Sequence, residues 1–327
     1  MEGTKKVVLL TGVSGFVGRA LLDSLVGSAS YQIRACARNI GVAEHPDVEY
    51  IAMGDLGDDV RWESFTQDVD VIVHAAARVH VMNDNSADPL AEFRKVNVDG
   101  TLNLARQAAA SGVRRFVFIS SIKVNGEFTL PGRPFTADDS PAPVDPYGVS
   151  KLEAEYGLLA LSKSTGMEVV IIRPVLVYGP GVKANFRNMM AFLAKGVPIP
   201  LPLGSVNNKR SLVALDNLVD LIKTCMVHPA AASQIFLVSD GNDVSTTELL
   251  RKVAHSVGTK AVLVPFPVKS LMFLAALVGK KGVATRLFGS LQVDISKNRQ
   301  LLGWLPPVTL DASLKKTANA YLESKSE

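Results

Sequence analysis

Tyr147-Gly148-Val149-Ser150-Lys151 places a phenol and an ammonium one helical turn apart, on the same face of a helix. Free tyrosine titrates near pH 10, so it needs a nearby cation to act as an acid or base near neutrality, and Lys151 supplies that charge. Pro146 fits the first position of a helix, which puts the pair in or near its first turn. A tyrosine and a lysine at this spacing also make ordinary surface contacts, so the pair takes its meaning from its company. Phe116-Val117-Phe118-Ile119-Ser120-Ser121 reads as a strand ending in two hydroxyls, at the carboxyl edge where open α/β sheets bind ligands. Either serine could instead cap a turn.

A third group stands at the start of the chain. The apolar run Lys6-Val7-Val8-Leu9-Leu10 leads into Thr11-Gly12-Val13-Ser14-Gly15-Phe16-Val17-Gly18, after which apolar residues recur at helical spacing through Leu25. Glycine at a strand-to-helix turn lets the backbone approach a pyrophosphate, and the helix N-terminus offers it free N–H groups. The spacing is G-x-x-G-x-x-G, and its place at the first βα junction is what favours a dinucleotide. The next strand ends Ala35-Cys36-Ala37-Arg38, where an NAD site would put a carboxylate for the ribose hydroxyls. A guanidinium there can pair with a 2′-phosphate, which favours NADP over NAD; otherwise Arg38 is a solvated loop cation. Asp55, in Gly54-Asp55-Leu56, could accept from the adenine amino group or be an ordinary turn residue.

These groups need a scaffold. Strands are expected at 31–37, 48–52, 69–75, 116–120 and 168–173, alternating with helices that include Glu92–Ser111 and Pro146–Lys163. That order predicts an α/β fold, a Rossmann-like doubly wound parallel sheet covered on both faces. After Pro174, prolines such as Pro180, Pro200, Pro202, Pro265 and Pro267 break shorter elements, which suggests a smaller second lobe. The expected division is a dinucleotide-binding domain over 1–174, to which 211–240 returns, and a substrate lobe over 175–327.

The 327 residues correspond to about two domains of about 150. With 47% hydrophobic and 20% charged residues, the chain can bury a sizeable core. The net charge of +4 is small and reads as dispersed, so nucleic acid is not an expected partner, whereas small anionic ligands are compatible. A mean hydropathy of +0.21 raises a membrane question. The strongest apolar run, Leu271–Val278, is far short of the ~18–20 residues of a span and is flanked by Lys269, Lys280 and Lys281. It is expected to be a buried or interfacial helix, and such a helix is usually core. No secretory segment is read after Met1-Glu2-Gly3-Thr4, so the cytoplasm is the default location. Cys36 and Cys225 are read as reduced core residues, and no metal site is expected.

With these motifs in this order, the chain resembles the extended short-chain dehydrogenase/reductases, the sugar-nucleotide epimerase, dehydratase and reductase family, over nearly its whole length. Asn97-Val98-Asp99-Gly100-Thr101, Arg173-Pro174 with Tyr178-Gly179-Pro180-Gly181, and Asp294-Ile295-Ser296-Lys297 with Leu302-Gly303-Trp304 match further family signatures. The resemblance implies that Tyr147 is the proton donor or acceptor. It implies that Lys151 tunes that residue and holds the nicotinamide ribose, and that Ser121 hydrogen-bonds the reacting oxygen. The cofactor would lie along Gly12, Ser14, Gly15, Phe16, Val17 and Gly18, with Arg38, Asp55 and Leu56 toward its adenosine end. Ala75, Ala76, Ala77, Asn97, Ser120 and Pro174 would complete that surface. A UDP-sugar would meet Arg78, Lys123, Asn185, Arg210 and, by a weaker alignment, Arg286.

Three positions depart from the family pattern. Arg38 replaces the acidic residue usual in NAD-bound epimerases, Leu176 replaces an asparagine, and Asn125 replaces the tyrosine of the usual Val-Tyr-Gly. Ile122-Lys123 stand where dehydratases carry Asp-Glu, which argues against elimination chemistry. Ser120 to Glu127 looks most like bacterial reductases of UDP-4-keto-6-deoxy-N-acetylhexosamines that serve surface-polysaccharide synthesis. The leading expectation is therefore an NADPH-dependent 4-ketoreductase, and the alternative is a UDP-hexose 4-epimerase with tightly held NAD. A non-catalytic NADP sensor would not need Tyr147, Lys151 and Ser121 together. The resemblance also implies a homodimer through the helices at 92–111 and 146–163.

Overall fold

The computed structural model describes residues 5–38, 45–79, 88–197 and 199–325, so Met1–Thr4 lie outside the described residues. Strands β1 (Lys6–Thr11), β2 (Tyr31–Ala37), β3 (Val48–Ala52), β4 (Val71–His74), β5 (Arg115–Ile119), β6 (Glu168–Pro174) and, after two short strands, β9 (Ile235–Val238) form one sheet in the order β3-β2-β1-β4-β5-β6-β9. Every pairing is parallel. Strands covered on both faces have no solvent side to keep polar, and β4 and β5 are buried at every residue. Arg115 on β5 is accommodated because its guanidinium meets Glu168 at 2.6 Å and donates to the carbonyls of Cys225 and His228.

Helices cover both faces. Leu21, Leu22 and Leu25 of α1 (Phe16–Leu25) pack with Leu218, Leu221 and Ile222 of α7 (Leu215–Val227) on one side. On the other, Trp62, just before α2 (Glu63–Thr66), packs with Leu104 and Ala108 of α4 (Thr101–Ala110) and with Ala154 and Leu158 of α5 (Pro146–Thr165). The sequence suggested one helix over 92–111. The structure has α3 (Pro89–Arg94), a wide π-helical turn over Lys95–Gly100, and then α4. The wide turn brings Asn97 inward, where its side chain bridges both backbone groups of Arg78 and the hydroxyl of Ser150.

Beyond β6, β7 (Leu176–Tyr178) and β8 (Leu212–Ala214) make a two-stranded parallel sheet. A third core gathers Phe186 and Met190 of α6 (Ala184–Leu193), Leu250 and Val253 of α8 (Thr246–Ser256), and Leu310 and Leu314 of α12 (Leu310–Glu323) around Tyr178. The remaining helices are α9 (Val268–Leu277), α10 (Lys281–Phe288) and α11 (Ser296–Leu302). Of the two placements expected for 271–278, buried or interfacial, the buried one does not hold, because no residue of α9 is buried. Its apolar side chains pack against α10 and otherwise face outward.

Candidate active site

The strand order reverses at β1 and β4, and the carboxyl ends of the strands at such a point are the usual ligand position in open α/β sheets. Gly12 ends β1 with φ +75°, and a Cβ there would lie 2.6 Å from the Ala76 nitrogen. A Cβ on Gly18 would lie 2.2 Å from the Gly12 carbonyl oxygen. These two positions require glycine because turn, helix and β4 end are pressed together. Gly15 caps α1 with no side-chain hydrogen bond, so the first N–H groups of that helix stay open beside exposed Ser14. Phe16 and Val17 open the helix half-buried. This cradle fits a dinucleotide pyrophosphate.

Behind it, His74 Nδ1 meets Thr11 Oγ1 at 2.7 Å and Nε2 meets Thr101 Oγ1 at 3.0 Å. Full burial, and secondarily the Lys151 charge, push His74 down to about 3, so it is a neutral strut under half-buried Ala75, Ala76 and Ala77. At the β2 end, Arg38 and Asp55 pair with each other at 3.3 Å, with side chains 73% and 85% exposed. Leu56 beside them is half-buried.

The catalytic candidates meet over β5. Asp145 caps α5 by accepting from the Gly148 N–H at 2.7 Å, which fixes the turn that carries Tyr147. Burial, and next the Asp145 charge, push the Tyr147 phenol up to about 12, while its hydrogen bond with Ser121 pulls the other way. Lys151 is buried, donates to the Ile119 carbonyl at 2.9 Å, and lies 4.5 Å from the Phe118 ring centroid. Burial brings it down to about 7, opposed by Glu155. Its ammonium is 6.0 Å from the Tyr147 ring centroid, drawn toward Ile119, and its own charge is disfavoured by burial.

Below Lys151 lies a network that sequence reasoning missed. Glu155, one turn further along α5, accepts from Ser120 Oγ at 2.5 Å and from Arg173 Nε at 3.0 Å and Nη2 at 2.5 Å. Arg173 Nη1 donates to Asn125 at 2.9 Å, and Asn125 donates to the Thr136 carbonyl. All four side chains are buried. Ser120, expected on the cofactor surface, thus turns its hydroxyl into this network. Asn125, which stands where the family has tyrosine, is a buried strut. The recurrence Tyr147, Lys151, Glu155 at four-residue steps was the available signal. Pro174 closes β6 in a buried position.

On the substrate side the placements diverge. The Arg78 guanidinium lies 5.8 Å from the Phe93 ring centroid, near Tyr147. Lys123 is held by ion pairs with Glu127 and Asp145. Asn185 is exposed in the first turn of α6. Arg210 donates to the carbonyls of Arg286, at 3.1 Å, and Gly289, at 3.3 Å, so the Arg286 backbone joins that corner while its side chain is exposed.

The profile of the "NAD dependent epimerase/dehydratase family" matches residues 8–239. The chain is 50% identical over 320 residues to a Vibrio cholerae protein named UDP-glucose 4-epimerase, covering 98% of this chain and 96% of the relative. Its fold is similar to that of UDP-glucuronic acid 4-epimerase from Bacillus cereus, solved with NAD, with a TM-score of 0.77, 19% identity and coverage of 97% and 99%. It is also similar to UDP-glucose 4-epimerase from Thermotoga maritima, solved with UDP-glucose, with a TM-score of 0.76, 22% identity and coverage of 98% and 100%.

Proposed function

The chain belongs to the NAD-dependent epimerase/dehydratase family, and from that premise we propose that it is a UDP-hexose 4-epimerase. The observation that carries this reading is the 50% identity along 98% of the chain to a relative of that name. The reductase expected from the Ser120–Glu127 segment moves to second place. We assign residues 1–174, with 211–240, to the cofactor and 175–327 to the sugar nucleotide.

When bound, a nicotinamide cofactor supplies reversible hydride exchange at the sugar C4. The chain handles the proton and the positions. Tyr147 takes the proton of the C4 hydroxyl as the carbonyl forms and returns it when the hydroxyl is restored, and Ser121 hydrogen-bonds that oxygen in both states. A phenol held protonated is ready for the half-step in which the C4 oxygen gains its proton, whereas the half-step that removes the hydroxyl proton needs the phenolate, which the Lys151 charge favours. Lys151 holds the ribose edge and supplies positive charge to the site. Gly12, Gly15 and Gly18 with the open end of α1 hold the pyrophosphate, while Arg210 and Asn185 face the UDP diphosphate. Arg78 and Lys123 border the sugar, Lys123 by exchanging an ion pair for a substrate oxygen.

Reduction of a UDP-4-keto-6-deoxy-N-acetylhexosamine is the second reading, and Arg38 favours it. An exposed guanidinium whose partner is an equally exposed carboxylate is available to a 2′-phosphate, and NADPH is a consumed reductant. One assay separates the two. Conversion of UDP-glucose to UDP-galactose without added nicotinamide, followed by NMR, supports the epimerase. Stoichiometric NADPH loss with the 4-keto substrate, and no UDP-hexose interconversion, would replace it with the reductase.

Two free, buried cysteines fit a reducing compartment, the cytoplasm. Exposed Tyr156 and half-buried Leu159 on α5 offer a face to a second copy, the homodimer, which light scattering tests.

A further inference from the structure

The α9–α10 hairpin turns hydrocarbon outward. Phe273 is 64% exposed, Leu277 and Val278 are 68% exposed, and Val283 on α10 is 63% exposed. From Leu271 to Leu277 every side of α9 is apolar, a composition that helices ordinarily bury completely. Single exposed leucines mean nothing, but a contiguous group of this kind marks a contact surface.

A second, independent observation is charge. From Leu249 to Val293 the chain has seven Lys and Arg residues and neither Asp nor Glu, so the excess of four positive charges in the whole chain comes from this stretch. The basic excess is therefore not dispersed, as the composition first suggested. Lys269 lies in the first turn of α9, and Lys280 and Lys281 follow its end, so cations stand at both ends of the apolar segment.

We propose that this hairpin docks the protein on the surface of an anionic lipid bilayer. Phe273, Leu277 and Val278 would enter the boundary between headgroups and acyl chains, with Lys269 and Lys280 against headgroup phosphates. A span is excluded by length, because ten residues at about 1.5 Å each reach only about half of a ~30 Å hydrocarbon core. Among the described residues no helix is long and apolar enough to cross a membrane. A second copy through the same face is disfavoured, since a two-fold contact would set one basic stretch against another. The base of the hairpin is tied to the Arg210 segment, with Asn208 donating to the Leu287 and Gly289 carbonyls and Arg210 to the Arg286 carbonyl. Docking would therefore orient the second lobe toward the bilayer, whichever sugar reaction the protein performs.

The test is sedimentation of the full chain with phosphatidylcholine vesicles, with and without phosphatidylglycerol. The wild type should sediment with the phosphatidylglycerol vesicles and be released by salt. The double substitution Phe273→Asp/Leu277→Asp should lower the bound fraction about tenfold or more, and Lys269→Glu/Lys280→Glu should abolish the preference for anionic lipid. Thermal unfolding of each variant shows that the fold is kept. A wild type that ignores phosphatidylglycerol vesicles overturns the proposal. So does a Phe273→Asp/Leu277→Asp variant that still sediments with them but changes from dimer to monomer by light scattering.

Discussion

Around α5 the fold buries Lys151, Glu155 and Arg173, whereas along α9 it leaves Phe273, Leu274 and Leu277 in solvent. Each region reverses the usual assignment of charge to the surface and hydrocarbon to the core. The first closes its exception inside the chain, because Glu155 and Arg173 satisfy each other and Lys151 finds the Ile119 carbonyl. The second has no such cover among the described residues, where Phe273, Leu274 and Leu277 each stay more than half exposed. A buried charge with its own partners tunes chemistry, whereas exposed hydrocarbon needs something outside the chain to cover it.

The largest expected effect comes from the group that the buried charges surround. Tyr147→Phe should lower turnover by about 10²- to 10⁴-fold with little change in stability, because a positioned general acid–base is lost and the ring stays. Steady-state rates and thermal unfolding check this together. A variant that keeps turnover within about tenfold removes the proton role from Tyr147.

Next in size is the pair beneath. Arg173→Met leaves the Glu155 carboxylate buried without its cation and should cost about 3–5 kcal/mol in urea unfolding. Adding Glu155→Leu should recover most of that loss, since an apolar pair of similar volume replaces the ion pair. If the single variant costs less than about 1 kcal/mol, α5 is not an internally compensated region and the contrast with α9 fails.

Lys151→Met separates stability from activity in the same place. The folded ammonium is brought down to about 7 from an ordinary 10.5. The unfolded chain therefore holds the proton more tightly across that interval, and stability should rise with pH from about 7 to about 10.5. Below that interval both states are protonated and the cost of burying the cation is fully present; above it the cost is gone. The variant should be more stable than wild type by about 2 kcal/mol at pH 7, after the unpaired Ile119 carbonyl is counted. That advantage should fade toward pH 10.5. It should also turn over poorly. Urea titrations at several pH values read the slope, and an unchanged slope would mean that Lys151 is solvated in the native state.

The sequence exposes the parts of this contrast that depend on local spacing. Gly12, Gly15 and Gly18 declare a tight strand-to-helix turn within seven residues, and Tyr147 with Lys151 needs only one helical turn. The alternation of strands and helices gives the parallel sheet for the same reason. Glu155 and Arg173 are 18 residues apart, and Arg173 and Asn125 are 48 apart. Only the docking of α5 on β5 and β6 brings them together. Spacing gives the separation of Tyr147 and Lys151 along a helix but not the Ile119 carbonyl that draws the ammonium aside. Residues 95–100 widen into a π-helical turn because Asn97 finds partners at Arg78 and Ser150, which no helical periodicity contains.

The smallest effect is expected at α9, and its smallness is the argument. Apolar periodicity records only that 271–278 avoids polar residues; it cannot say which surface covers them. If the hairpin were a fragment of core, Phe273→Ser would remove buried hydrocarbon and cost about 3 kcal/mol or more. In this fold the ring is 64% exposed, so its loss should change the stability of the isolated protein by no more than about 0.5 kcal/mol. A urea midpoint that falls as far as that of Arg173→Met would show that α9 is covered within the isolated protein. A midpoint that stays put leaves its apolar surface free for a contact made outside the chain.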